Sequence, residues 1–367
     1  MKILILSNYA NGLYLFRKEL ISEMLRKDYS VIVSVPPDEN LEKVESLGCR
    51  VVPIQFERRG HNPVHDIKLF FRYLSLIRHE KPDVVLTYTI KPHLYGGIAC
   101  RLCRIPYIAN VTGLGTAMQG GGLLSKVLIT FYKIALKKAR CIFFQNEANK
   151  LFMQKLGIAK TTAKMLPGSG VNLAEHPYEA YPSEDDGIQI LLVARVMKDK
   201  GIEEFFNAAK MIHEERKDIH FTLVGEYEKE SQDFYEPWIK ALSEQGILKY
   251  LGHIDDVPEV MARSHIILNP SYHEGLSNVL LEAAACGRPI AATNIPGCKE
   301  TVLPGISGLL FEPKNTECLL DAIKEMLGYS ASQREEMGKK GREYIEKVFD
   351  RNVVIEAYMK EIQDIQG

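Results

Sequence analysis

The chain has 367 residues, 46% apolar and 25% charged, with a net charge of −1, the balance of a folded protein long enough for two hydrophobic cores. No apolar stretch runs to membrane-spanning length: the longest, residues 123–141, is broken by Lys126, Lys133, Lys137, Lys138 and Arg140. Seven cysteines at irregular spacing argue against a disulfide framework and for a reducing compartment, and Cys100 and Cys103, a lone C-x-x-C, read as helix packing rather than zinc or redox chemistry.

The near-zero net charge hides an asymmetry. Residues 1–175 hold 25 Lys+Arg against 13 Asp+Glu, and residues 176–367 hold 21 against 34. Such a split suggests that the first half meets something anionic. No signal-peptide pattern follows Met1-Lys2, so a cytosolic location is expected.

Apolar runs at 2–7, 30–35, 50–54, 83–87, 107–111 and 141–144 read as strands, and the first ends in the turn-rich segment 8–12. Helical spacing fills the gaps, as in Leu15, Leu20, Ile21, Met24 and Leu25 and again over 66–79. That alternation predicts a doubly wound parallel sheet, whose ligands sit beyond the carboxyl ends of the strands. The loop after the first strand has Gly12 as its only glycine, so a dinucleotide G-x-G-x-x-G is absent. Later loops carry Arg58-Arg59-Gly60-His61-Asn62-Pro63, a compact basic segment suited to phosphate, then Lys91 and His93, then Thr112 and Gly113. The apolar, lysine-flanked span 120–140 is suited to lie against anionic lipid.

A composition shift that ends in the Pro-, Glu- and Asp-rich stretch 177–187 puts the domain boundary near residues 170–187, and a second strand–helix series follows. Its strands are expected at 188–193, 220–224, 249–251, 265–270 and 289–293. Helices are expected over about 202–215, 238–245 and 279–285, then over 333–348 and after Asp350.

The chemistry concentrates at the junction His273-Glu274-Gly275-Leu276-Ser277-Asn278-Val279-Leu280-Leu281-Glu282. A buried strand, a glycine loop and a helix in succession aim free backbone N–H groups at an anion. Glu274 falls in the loop and Glu282 on the second helical turn, and Gly275 allows backbone to approach a ligand. Arg195 and Lys200 lie five apart in another post-strand loop, where a planar fork and a compact charge can share one diphosphate. Together these suggest a site for the diphosphate and sugar of an activated-sugar donor.

These residues resemble the motifs of the GT-B-fold, retaining glycosyltransferases of family 4 (glycosyl transferases group 1). The E-x7-E element matches Glu274 and Glu282, the Arg/Lys pair matches Arg195 and Lys200, and the glycine-led loops match Val224-Gly225 and Leu251-Gly252-His253. Gly297-Cys298-Lys299-Glu300 and Gly308-Leu309-Leu310-Phe311 complete the likeness. In the first half, Arg58-Arg59-Gly60-His61-Asn62-Pro63, Lys91-Pro92-His93 and Asn110-Val111-Thr112-Gly113-Leu114-Gly115 are similar to bacterial enzymes assembling capsule, O-antigen or N-glycan precursors on polyprenyl diphosphate. Many family members carry a histidine where this chain has Thr112, so no histidine-assisted role is carried over to His93.

The resemblance implies an α/β chain of two Rossmann-like doubly wound domains facing across a cleft. Residues 1–172 would bind the acceptor and 173–348 the nucleotide sugar, and 349–367 would form a helix packing back on the first domain. It implies transfer of a hexose or N-acetylhexosamine from a UDP-sugar to a lipid-linked glycan, with retention, by a protein peripheral on the inner face of the cell membrane. Glu274, Arg195 and Lys200 would be catalytic. Donor contacts would come from Gly12, Gly252, His253, Ile254, Gly275, Leu276, Ser277, Asn278, Val279 and Glu282, and acceptor contacts from Arg58, Arg59, Lys91, His93, Thr112 and Gly113. No cofactor is expected beyond the UDP-sugar co-substrate, and no nucleic acid. The sequence has no D-x-D, so no metal is expected. The competing readings are a GT-B UDP-sugar epimerase or phosphorylase, and a non-enzymatic two-domain binding protein.

Overall fold

The computed structural model describes residues 1–57, 62–114, 118, 122–158 and 162–365. The chain divides into two compact units, Met1–Ser169 with Asn352–Gly367, and Gly170–Arg351. The first crossing falls at 169/170, ahead of the acidic linker, because Val171 is already tied into the second unit. Its N–H donates to Phe349 O at 2.9 Å, and Arg351 N–H donates to Val171 O at 3.0 Å.

Unit 1 is built on seven parallel strands: β1 (Lys2–Leu6), β2 (Ser30–Ser34), β3 (Arg50–Val51), β4 (Val84–Tyr88), β5 (Tyr107–Val111), β6 (Cys141–Phe144) and β7 (Ala163–Met165). Their order across the sheet is β3-β2-β1-β4-β5-β6-β7. The strands are apolar without alternation because both faces are covered. On one face lie α1 (Ala10–Arg26) and α2 (Leu41–Glu45). The other carries α3 (Pro63–Glu80), a π-helical turn Pro92–Gly96 running into α4 (Gly97–Cys103), α5 (Leu123–Leu136) and α6 (Glu147–Lys155). Asn62 starts α3 by accepting from Val64 N at 3.0 Å, with Pro63 in the first turn, and Lys81 in the left-handed region ends it.

Unit 2 repeats the plan with six parallel strands: β8 (Ile188–Val193), β9 (Ile219–Val224), β10 (Leu248–Tyr250), β11 (Ile266–Asn269), β12 (Ile290–Thr293) and β13 (Gly308–Phe311). Their order is β10-β9-β8-β11-β12-β13. The helices are α7 (Ile202–Glu215), α8 (Gln232–Glu244), α9 (Val257–Ala262), α10 (Asn278–Ala285), α11 (Thr316–Gly328) and α12 (Ala331–Val348). α13 (Arg351–Gln363) then adds Val354, Tyr358, Met359 and Ile362 to the unit 1 core beside Ile5, Leu86, Ile108 and Phe143. In both units the strand order reverses between the first and fourth strands of the sheet, the switch point where doubly wound sheets open a crevice for ligands.

Candidate active site

At the unit 2 switch point β8 and β11 lie side by side, with Ile267 paired to Leu191. Their post-strand loops, 194–201 and 270–277, therefore emerge next to each other. Tyr272 N–H donates to Asp199 O at 2.9 Å, and the Tyr272 hydroxyl donates to Glu204 Oε1 at 2.6 Å, at the start of α7. The contact is closest at Gly201, whose φ of +68° suits glycine and where a Cβ would overlap the carbonyl oxygen of Pro270. A third loop follows β12. Ser277 N–H donates to Gly297 O at 2.8 Å, and Gly297 N–H donates to Glu300 Oε2 at 2.6 Å. Gly297, at φ +94°, lies so near that an added Cβ would stand 2.7 Å from Glu274 O.

This stitching brings Lys200 Nζ into an ion pair with Glu274 Oε1, both side chains largely shielded. Arg195, half exposed, pairs with Glu228 in the loop after β9. That loop is registered to the β8 loop through Val196 N–H donating to Glu226 O at 2.8 Å. Beneath them, Asn269 Nδ2 donates to Ser277 Oγ at 2.8 Å and Thr293 Oγ1 donates to Ser271 O at 2.6 Å. α10 begins after Ser277 without a side-chain cap, and its first N–H groups point out from the helix end.

Glu282, on the second turn of α10, is held in an apolar setting. Burial pushes its carboxyl from the ordinary 4.5 up to about 7, moderated by the charge of Arg351. Leu276 and Ser277 are buried, while Gly275, Asn278 and Val279 are partly open; the Asn278 Oδ1 is buried with no hydrogen-bond partner. Gly252 takes a positive φ after β10, its carbonyl accepting from Gly225 N–H at 2.8 Å. His253 next to it is exposed, 3.5 Å from Glu226 and 3.8 Å from Asp255, and Ile254 is half-buried. Clustered cations, a helix start and hydroxyl-accepting carboxylates can hold a diphosphate with sugars on either side.

Two models match the chain: "Glycosyl transferase 4-like" over residues 2–146 and "Glycosyl transferases group 1" over residues 187–328. The chain belongs to this glycosyltransferase family. Among curated relatives, this glycosyltransferase is 28% identical to the N,N'-diacetylbacillosaminyl-diphospho-undecaprenol alpha-1,3-N-acetylgalactosaminyltransferase of Campylobacter jejuni, over 98% of both chains. It is 25% identical to the capsular polysaccharide biosynthesis glycosyltransferase CapM of Staphylococcus aureus, over 97% of this chain and 95% of that one. Its fold matches the Anabaena protein Alr3699/HepE, solved with UDP and glucose, at a TM-score of 0.82 and 19% identity, covering 99% of each chain. The fold is GT-B, and the non-enzymatic reading falls with the family assignment.

The structure corrects part of the unit 1 reading. His93 is buried, with Nδ1 2.9 Å from Thr87 Oγ1 and Nε2 3.0 Å from Asn110 O. A carbonyl only accepts, so Nε2 carries the proton and Nδ1 accepts from the threonine hydroxyl. Burial holds its pKa down at about 3, so it is a neutral structural histidine rather than an acceptor-side group. Lys91 is shielded and pairs with Asp66 at 2.7 Å. Gly12 belongs to the first turn of α1 rather than to a free loop. Thr112 and Gly113 follow β5 and are half-buried; Arg58 and Arg59 lie outside the described residues. Sequence reading missed Glu228, Tyr272, Glu204 and Asn269, which hold these loops. Glu228 lies three residues past Gly225, so a search of every post-strand loop for carboxylates would have found it.

Proposed function

We propose that this glycosyltransferase moves a hexose or N-acetylhexosamine from a UDP-sugar to a glycan carried on polyprenyl diphosphate, with retention and without a metal ion, in assembly of a bacterial surface polysaccharide or glycoprotein glycan. The lipid-linked acceptor places it peripherally on the inner face of the cell membrane. The carrying observation is the pairing of the Arg195–Lys200 loop with the Glu274 loop at the unit 2 switch point. The Campylobacter relative's name specifies an undecaprenol-diphosphate acceptor, and the HepE structures specify UDP, UDP-glucose and glucose as ligands.

In this reading the bond from the anomeric carbon to the diphosphate oxygen breaks, and the leaving diphosphate keeps the electron pair. Arg195 and Lys200 stabilise that growing charge, an interaction strongest in the transition state. Glu274 exchanges Lys200 for donor-sugar hydroxyls and faces the oxocarbenium-like centre. The acceptor hydroxyl attacks from the face the diphosphate leaves, and its proton passes to a phosphate oxygen. Glu282 accepts ribose hydroxyls, and backbone near Gly252 to Ile254 receives the uracil. Turnover of a UDP-sugar panel with polyprenyl-diphosphate acceptors tests the reading, with the anomeric configuration of the product read by NMR. Retained configuration and unchanged rate in EDTA are expected. Inversion, complete loss of activity in EDTA, or a sugar adduct trapped on Glu274 contradicts it.

A further inference from the structure

Three helices of unit 1, α3, α4 and α5, form one layer over the first sheet. They bury Leu69, Tyr73, Ala99, Cys100, Tyr132 and Ala135 inward. Their outer side is not the polar surface expected of such a layer. On α3, Val64, Ile67 and Phe71 are each 57–60% exposed, at spacings of three and four that put them on one helical face. On α5 the same spacing recurs in Val127, Phe131 and Ile134, 38–45% exposed, and Leu102 of α4 is 59% exposed. Seven of the 15 large exposed apolar side chains among the described residues thus stand on this layer.

The charge between them has one sign. Residues 63–140 contain 12 Lys+Arg and 3 Asp+Glu, and α4 and α5 contain no acid. All three acids are engaged: Asp66 by Lys91, Glu80 by Arg50, and Asp83 by the backbone N–H of Lys2. Lys68, Arg72 and Arg78 of α3 and Lys126 and Lys133 of α5 are exposed and unopposed by these acids.

We propose that the outer face of the α3–α4–α5 layer docks on an anionic lipid bilayer, its apolar side chains entering the headgroup boundary and its amines meeting lipid phosphates. The mixture selects this occupant. A second copy meeting the face about a two-fold axis would set lysine and arginine against lysine and arginine. An aqueous anion alone would leave the seven apolar side chains in water. The inference deepens the proposed function and rests on it for its purpose, since a polyprenyl-linked acceptor presents its glycan at such a surface. The α5 segment was legible as an amphipathic stretch; the matching stripe on α3 emerges only from the packed layer.

Flotation of the full chain with vesicles tests it, using phosphatidylcholine alone and phosphatidylcholine mixed with phosphatidylglycerol. The full chain is expected to float with the anionic vesicles only, and less in high salt. Phe71→Ser with Phe131→Ser, and separately Lys68→Glu with Lys126→Glu, should each lower vesicle partition by about ten-fold or more. Their melting temperatures should match the parent, since all four side chains are exposed. Variants that float like the parent, equal binding to neutral vesicles, or a stable dimer abolished by the serine variant would overturn the proposal. Both variants should keep turnover on an acceptor with a short, water-soluble lipid tail. Flotation without turnover on any lipid-linked acceptor removes the acceptor reading and leaves the docking face standing.

Discussion

Lys200 and Arg195 already have carboxylate partners, Glu274 and Glu228. The Arg195–Glu228 pair, half exposed at the arginine, contributes only about 0–1 kcal/mol, and a diphosphate carrying several charges can take over both cations from their single carboxylates. Glu282 makes a sharper prediction. Its carboxyl ionises near 7 in the folded chain against an ordinary 4.5, so the folded state keeps a proton that the unfolded state has released between those values. Stability therefore falls as pH rises through that window, by at most roughly 3 kcal/mol. Urea unfolding at about pH 5 and about pH 8 should show the fall in the parent, and Glu282→Gln should remove this component. A parent whose stability is flat across the window would refute the assignment. Glu274, Glu282, Arg195 and Lys200 were legible because each has a fixed place after a buried strand. The neutral state of His93 was not, because only the folded sheet brings Thr87 and Asn110 around its ring.

The loops act as a unit, joined by backbone contacts rather than by side chains alone. Gly201→Ala puts a methyl group on the Pro270 carbonyl and strains a φ of +68°, and should destabilise the chain by about 1–3 kcal/mol while lowering kcat/KM. Tyr272→Phe removes only the hydroxyl bond to Glu204, and should cost about 0.5–1.5 kcal/mol, with kcat more affected than donor affinity. Denaturation curves beside steady-state kinetics check both. Most elements were readable from apolar period, but the start of α8 and the whole of β7, β13 and α11 were not. α8 begins at Gln232, ahead of the predicted start after Pro237: the proline stands inside the helix, and buried Tyr235 anchors the turn before it. β7 is a three-residue edge strand with mostly exposed side chains, too short for a pattern. α11 is not among the expected helices, although Asn315 caps it and Leu319, Leu320, Ile323 and Met326 form a buried face.

Across the whole molecule, alternation of strand and helix made two doubly wound sheets legible, and the shared strand order puts a switch point in each. The pairing order itself is not written in local pattern; it follows from right-handed crossovers that lay successive strands outward and then reverse. The first sheet is completed by the last helix. Tyr358 of α13 is fully buried, its ring 4.8 Å from Phe143 and its hydroxyl accepting from Asn110 Nδ2 at 2.7 Å. Tyr358→Ala should destabilise unit 1 by about 3–5 kcal/mol, visible as an earlier melting transition, whereas an unchanged melt would show that α13 adds nothing to that core. The proposed function rests on the switch-point loops of the second sheet acting on an activated sugar. Its most direct test is transfer from the preferred UDP-sugar to a polyprenyl-diphosphate glycan, comparing the parent with Arg195→Ala and Lys200→Ala. We expect kcat to fall by about 10²–10³-fold in each, with folding intact by circular dichroism. Variants that fold and transfer at the parent rate would contradict it.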